Sequence, residues 1–327
     1  MSSFAIGIDI GGTNTKFGIV NREGTILVQD SMLTNHDDDI NTYIENLYEH
    51  LLPLINKQGG IANIAGIGVG APNGNYYTGT IEYAANLSWQ GIVPFAKLAS
   101  EKFGLPVQLT NDANAAAMGE MIYGCAKDME DFIMITLGTG VGSGIVINGQ
   151  IVLGHDGFAG ELGHTIIRHN GRMHKGTGIR GSLECYASAT GVAETAIAML
   201  AENPQTDSLL RQVKDEKLLT SKTVYDAAVQ GDTIALKIFE YTGKILGEAL
   251  ANFVMFSSPE AIVLFGGLTK AGNLLLTPAQ KAMEANLVQC FKNKVKILFS
   301  ELPEADAAIL GASALVWKKE NQNSTQQ

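Results

Sequence analysis

The sequence predicts an α/β protein built from two related halves. Three observations carry this. Apolar strand patterns alternate with helical ones from end to end. One strand–turn–strand pattern occurs twice. Glycine-rich turns follow several of the buried strands.

The elements follow in order. Residues 4–10 (FAIGIDI), apolar but for Asp9, read as a buried strand. Residues 16–20 and 25–28 read as two more, turned by Asn21-Arg22-Glu23-Gly24. Over about 38–56, Ile40, Tyr43, Ile44, Leu47, Leu51 and Leu54 recur at helical spacing. A strand is expected at 65–69, a helix near 94–103 and a strand at 107–109. The alanine-rich run at 112–123 reads as a helix. Residues 131–137 open a second strand-rich segment, and 154–180 are loop-like and rich in glycine. Helices are expected at about 192–202, 222–230, 233–256 and 278–288, with strands at 261–265 and 295–299. A last helix at 305–318 precedes a polar tail, 319–327, expected to be disordered. The chain is expected to divide into a small domain, 1–115, completed by the helix at 305–318, and a large one, 116–304.

The repeat lies at 9–27 (DIGGTNTKFGIVNREGTIL) and 136–152 (TLGTGVGSGIVINGQIV). Each is a strand, a glycine turn, a strand ending in Gly-Ile-Val, a short turn and Gly-x-Ile, so the halves are expected to share a topology.

Composition excludes several classes. Lys and Arg number 23 against 33 Asp and Glu, a formal net charge of −10, which disfavours a nucleic-acid or anionic-membrane binder. Cys125, Cys185 and Cys290 are odd in number and far apart, so no disulfide framework is readable and a cytoplasmic setting is expected. The N-terminus lacks a basic signal-peptide start, and no run of about 20 apolar residues suits a membrane span. Glycine, at 37 of 327, is in excess while proline is only 8, so the glycines serve turns or close backbone approach.

The turn Asp9-Ile10-Gly11-Gly12-Thr13-Asn14-Thr15 ends the first strand. Its glycines let backbone amides approach phosphate oxygens, Thr13 and Thr15 add hydroxyls, and Lys16 adds a cation. Asp9 suits Mg²⁺, directly or through water. The same residues also suit a tight hairpin with an Asp cap. The turn matches neither GxxxxGK[ST] nor GxGxxG. A second turn, Gly138-Thr139-Gly140-Val141-Gly142-Ser143-Gly144, holds more glycine than a hairpin needs. A third pair, Gly266-Gly267, follows the strand AIVLF. Together the three suit one phosphate and nucleotide site.

These motifs resemble those of the sugar kinase/heat-shock/actin-like ATPase superfamily, and more narrowly the ROK family of sugar kinases. The resemblance rests on DIGGTNTK (9–16), GVGAPN (68–73), NLSW (86–89), TNDANAAAMGE (110–120), LGTGVGSGI (137–145), GFAGELGH (157–164), GSLE (181–184), IVLFGG (262–267) and AILGAS (308–313). It implies two actin-like ATPase (ribonuclease H-like) domains with a cleft between them, ATP and Mg²⁺ as cofactors, and a homodimer. It implies that Asp112 is the general base toward a sugar hydroxyl, and that Asn86, Asn111, Glu161, His164 and Glu184 contact sugar hydroxyls. Asp9, Gly11, Gly12, Thr13, Lys16, Gly138, Thr139, Gly140, Gly266 and Gly267 would serve nucleotide phosphates, with Asp9 on Mg²⁺. Asp112 equally suits a helix N-cap, and Trp89 reads as a packing residue.

The sequence departs from the family at one place. Most members join the His of GELGH to three cysteines in a zinc motif; here Lys175, Thr177 and Ser182 occupy the cysteine positions. Lys and Thr are not zinc ligands and Ser is a poor one, so no family-type zinc is expected. A different site formed by His164, His169 and His174 remains open. The resemblance implies ATP-dependent phosphorylation of a hexose at its C6 hydroxyl, with glucose preferred. Fructose, mannose, N-acetylglucosamine and N-acetylmannosamine are alternatives, as is a non-catalytic sugar-sensing regulator. Repressors of the family carry a helix-turn-helix segment first; with a strand expected from residue 4, none is expected here.

Overall fold

The computed structural model describes residues 3–34, 39–213, 215–303 and 305–325. Its first sheet contains β1 (Phe4–Ile10), β2 (Asn14–Asn21), β3 (Ile26–Leu33), β4 (Ile64–Gly70) and, after a small sheet of β5 (Gly74–Asn75), β6 (Thr80–Glu82) and β7 (Ile92–Val93), also β8 (Val107–Thr110). Its second contains β9 (Phe132–Leu137), β10 (Val141–Ile147), β11 (Gln150–Ile151), β12 (Ala261–Phe265) and β13 (Lys296–Phe299). The helices are α1 (Ile40–Lys57), α2 (Phe95–Phe103), α3 (Asp112–Tyr123), α4 (Glu184–Ala187), α5 (Ala189–Glu202), α6 (Ser221–Ala228), α7 (Thr233–Ser257), α8 (Asn273–Asn286) and α9 (Ala307–Thr325).

The two sheets have one strand order. The first runs β3-β2-β1-β4-β8 and the second β11-β10-β9-β12-β13. In the first, β1 pairs antiparallel with β2 and parallel with β4; in the second, β12 pairs parallel with both β9 and β13. The repeat seen in the sequence is thus a repeat of topology.

Contacts group residues 1–129, 144–160 and 300–327 in one compact unit, and 130–143 and 161–299 in another. A boundary at 115/116 falls inside α3. Residues 144–160 group with the first unit for physical reasons. A Cβ on Gly144 would stand 2.8 Å from the Cβ of Ala117 in α3. Asn75 Nδ2 donates to the Asp156 carbonyl at 2.8 Å, and Tyr77 Oη donates to that of Gly154 at 3.0 Å.

In the first unit, strand alternation sends Ile6, Ile8 and Ile10 into a core with Leu47, Leu51, Phe95 and Phe103 of α1 and α2. The opposite face places Ala5 with Val316 and Trp317 of α9, and Val20 with Ile309 and Leu310. There α9 lies directly on the strands. A Cβ on Gly7 would fall 2.1 Å from the Ile309 carbonyl oxygen, and one on Gly68 would fall 1.8 Å from that of Ala312.

Two expectations about the helices change. Helix α8 starts at Asn273 rather than at Pro278, which lies inside it. Pro278 packs over Gly243 of α7, where a Cβ would stand 2.5 Å from Pro278 Cγ, so close packing outweighs the preference of proline for a first turn. The tail expected to be disordered continues α9 through Thr325, while 326–327 lie outside the described residues. Lys318, Lys319 and Glu320 are good helix formers, and a nucleated helix extends by one hydrogen bond per residue.

Candidate active site

In the first unit the site is built where β1 and β4 end and α3 begins. Asp9 lies opposite Lys16 of β2 and Gly70 of β4. A Cβ on Gly70 would be 3.7 Å from Asp112 Cα and 4.0 Å from Asp9 Oδ1. The tightest neighbour of that added Cβ is the Cβ of Ala115 in α3, at 3.2 Å, so the glycine lets β4 and α3 approach closely beside Asp9.

The turn after β1 closes through Gly11 N–H donating to the Asn14 carbonyl at 3.0 Å. Gly12 backs onto Asn86, whose Cβ would be 3.1 Å from a Cβ there. Thr13, Lys16 and Asn86 are exposed around it. Thr15, expected to add a phosphate donor, is instead fully buried. Its Oγ1 bonds Tyr43 Oη at 2.7 Å and Thr34 Oγ1 at 2.9 Å, and Thr34 Oγ1 donates to the Gly11 carbonyl at 2.8 Å. The alternation of β2 decides this: Asn14 and Lys16 point out, so Thr15 points in. Trp89 is buried edge-on to Tyr43, as a packing residue.

At α3 the N-cap is Asn111, not Asp112. Asn111 Oδ1 accepts the Asn114 N–H at 2.7 Å, leaving its amide donors for a ligand. Asp112, in the first turn, accepts its neighbour Ala113 N–H at 2.8 Å and is solvent-exposed as a residue.

Electrostatics mark this pair. Burial, and next the negative charge of Asp112, raise Asp9 to about 6, against the pull of Lys16. Loss of surrounding water also raises Asp112, opposed by the Ala113 N–H. Asp112 remains reachable by solvent, so its shift reflects crowding by protein rather than sealing. The repulsion is mutual and appears on whichever group ionises second. A divalent cation would relieve it, and one or two carboxylates with phosphate oxygens are the donor set Mg²⁺ favours. The residues present therefore fit Mg²⁺ carried on a nucleotide.

In the second unit the glycine turn is tied to α5. The Gly138 carbonyl accepts Ala189 N–H at 2.8 Å, and Thr190 Oγ1 donates to the Thr139 carbonyl at 3.0 Å. A cavity of about 620 Å³ opens beside it. Gly138, Thr139 and Gly267 line one part; Phe239, Leu268 and Ala271 give it an apolar wall. Tyr225 and the Lys222–Asp226 pair, 2.6 Å apart, complete it. An apolar slot with an aromatic ring, ending at glycine turns, suits a heteroaromatic base with phosphates. Sequence reasoning found the glycines here but missed Tyr225, Asp226 and Phe239. Gly266 has a packing role as well: its φ is +103°, and a Cβ would be 2.6 Å from the Leu137 carbonyl oxygen.

The segment Glu161–His164 lies on β10. Leu162 N–H donates to Ser143 Oγ at 3.0 Å, and a Cβ on Gly163 would be 2.0 Å from the Val141 carbonyl oxygen. Glu161 is exposed, with a carboxylate oxygen 3.9 Å from His164 Nε2. His164 Nδ1 is buried and has no hydrogen-bond partner among the described residues. Glu184 has two partners: Oε2 accepts Val141 N–H at 2.7 Å and Oε1 lies 2.8 Å from His174 Nε2.

The three side chains at the expected cysteine positions have other partners. Lys175 Nζ is 3.6 Å from Glu194, Thr177 Oγ1 is 2.9 Å from His174 Nδ1, and Ser182 Oγ is 3.2 Å from Cys185 Sγ. Among the described residues, no group of three or more His, Cys, Asp or Glu side chains is placed to hold a metal ion. His164 and His174 rings lie 6.1 Å apart, and His169 is exposed. Arg172 anchors the loop, donating to the carbonyls of Cys185 at 2.5 Å and Gly191 at 3.0 Å and to Thr195 Oγ1 at 3.1 Å. Antiparallel bridges Ile166–Ser182 and Met173–Arg180 close it.

Two sheets of one strand order, each with a glycine turn after its first strand, define the actin-like ATPase fold of sugar kinases. The chain belongs to the ROK family, whose pattern matches residues 5–319. It is 36% identical over 320 residues to a glucokinase of Halalkalibacterium halodurans, covering 97% of this chain and 96% of that protein. A ROK family glucokinase from Streptomyces griseus, solved with glucose and AMPPNP, superposes with a TM-score of 0.79 at 29% identity, covering 96% of this chain and 99% of that one. A xylose repressor of Caldicellulosiruptor bescii is 28% identical over 314 residues, covering 95% of this chain and 77% of that protein. No helix among the described residues is long and apolar enough to cross a membrane.

Proposed function

We propose that this chain is an ATP-dependent hexose kinase acting at the C6 hydroxyl, with glucose as its main substrate. The observation that carries the reading is Asp112. It stands in the first turn of α3, relieved of capping by Asn111, exposed as a residue and with a raised carboxyl. Such a group is suited to take a hydroxyl proton as the oxygen–phosphorus bond forms and the bond to the departing nucleotide diphosphate breaks. Asn111, Asn86, Glu161, His164 and Glu184 recognise the other hydroxyls. The glycine turns at Gly11-Gly12 and Gly138-Thr139-Gly140, whose backbone a phosphate can approach closely, bind phosphates together with Thr13, Thr139 and Lys16, and the cavity at Tyr225 takes the base. Asp9 holds Mg²⁺, which when bound neutralises phosphate charge. The likeness to two glucokinases supports glucose over the other hexoses. A cytoplasmic homodimer that supplies sugar phosphate for breakdown belongs to the same reading.

A sugar-sensing regulator is the second reading, favoured by the likeness to a xylose repressor. An ADP-release assay over glucose, mannose, fructose, N-acetylglucosamine and N-acetylmannosamine separates the two. Turnover is expected, fastest with glucose. Sugar binding without turnover on any of the five would establish the regulator instead.

A further inference from the structure

We propose that His174 is a positioning residue of the sugar site, acting through Glu184. The inference rests on the reading above, in which Glu184 meets a sugar hydroxyl.

The geometry forms one directed chain of hydrogen bonds. Ile179 N–H donates to Thr177 Oγ1 at 3.3 Å. Thr177 N–H donates to His174 Nδ1 at 3.2 Å, and Thr177 Oγ1 lies 2.9 Å from the same nitrogen. A backbone N–H can only donate, so Nδ1 is the acceptor and the ring proton sits on Nε2. Nε2–H then donates to Glu184 Oε1 at 2.8 Å. The other oxygen, Oε2, accepts Val141 N–H at 2.7 Å.

Two donors on two different oxygens fix the plane of the carboxylate. A glutamate has three side-chain torsions, and holding them before the ligand arrives removes an entropy cost from binding. A carboxylate has about four acceptor sites, so two remain for sugar hydroxyls. The backbone on the other side makes room: a Cβ on Gly140 would lie 2.4 Å from Glu184 Oε2. Without His174, Glu184 keeps one tether and can swing.

The two ring nitrogens allow a selective test. Gln places an amide donor near the reach of Nε2, Asn near that of Nδ1. In His174→Ala and His174→Asn, KM for the sugar is expected to rise about tenfold or more, with KM for ATP changed by less than about twofold and kcat falling less than KM rises. His174→Gln is expected to recover most of the loss. Calorimetry with the sugar alone should give the same order of affinities. Normal sugar KM in His174→Ala, equal losses in the Gln and Asn variants, or parallel losses for sugar and ATP would each overturn the assignment. A wild-type chain that neither binds nor phosphorylates any sugar would remove the kinase reading itself. An active wild type with an unimpaired His174→Ala would remove only the role of His174.

Discussion

Gly68 and Ala312 are in backbone contact across the first sheet: a Cβ on Gly68 would stand 1.8 Å from the Ala312 carbonyl oxygen. Neither β4 nor α9 can yield without disturbing the core that holds Asp9 and Asp112. Gly68→Ala should therefore destabilise the chain by about 2–3 kcal/mol, as overpacking of a tight core does. Gly138→Ala, with no heavy atom within 4 Å of its added Cβ, is the comparison and should shift stability by less than about 0.5 kcal/mol. Urea midpoints for the two variants check this. Equal midpoints would show that α9 can shift to admit a methyl group.

The loop at 165–182 should need no metal. Arg172 satisfies three acceptors on α4 and α5 and stacks on Tyr186, with 4.8 Å from its guanidinium carbon to the ring centroid. Arg172→Met keeps much of the stem and removes the donor to the Cys185 carbonyl, while the Gly191 carbonyl still accepts Thr195 Oγ1 at 2.7 Å, so the expected cost is about 1–3 kcal/mol. If, as expected, no folding free energy is tied to a bound ion, a chelator should leave Tm within about 1 °C. One tightly held zinc per purified chain, or a large fall in Tm with chelator, would contradict this.

Much of the fold was legible because it is written in short-range pattern. The bounds of β1, α3 and β12 follow from runs of apolar or helix-forming residues, and the doubled strand order from a repeat of glycine turns. What was not legible depends on neighbours distant in sequence. Gly68 looked like part of a ligand motif, yet its neighbour is Ala312. Thr15 looked like a phosphate donor until β2 alternation turned it toward Tyr43. Tyr225, Asp226 and Phe239 lie on amphipathic helices that look ordinary, and no local signal separates them from packing residues. His174 was legible only as a possible metal ligand, because its partner Glu184 is fixed by the loop's return path.

The Asp9–Asp112 pair predicts a pH-dependent stability in the ligand-free protein. Asp9 is raised from 3.8 to about 6. The folded chain thus holds a proton that the unfolded chain has lost, so stability falls as pH rises through that window and stays reduced above it. Asp9→Asn carries no charge at any pH. It should match wild type near pH 3.5 and exceed it by about 1–3 kcal/mol at pH 8, the range allowing for partial solvent access. Denaturant curves at the two pH values give the difference. An Asp9→Asn variant no more stable than wild type at pH 8 would show that the pair is not strained.

Asp112→Asn separates chemistry from binding. The amide is nearly isosteric and can still accept the Ala113 N–H, so the start of α3 should keep its geometry. It cannot take a proton from an alcohol. Removing a general base typically costs about 10²–10⁴ in rate, and that loss is expected in kcat for the hexose. On the proposed reading, sugar affinity should change little, because Asn111 and the other proposed hydroxyl contacts remain. Unfolding should occur at the same temperature or higher, since the variant loses a carboxylate that crowding already disfavours. Single-turnover measurements with saturating sugar and ATP test the chemical step directly. A rate within about threefold of wild type would assign the proton to another acceptor, and the raised carboxyl of Asp9 would be the next to examine.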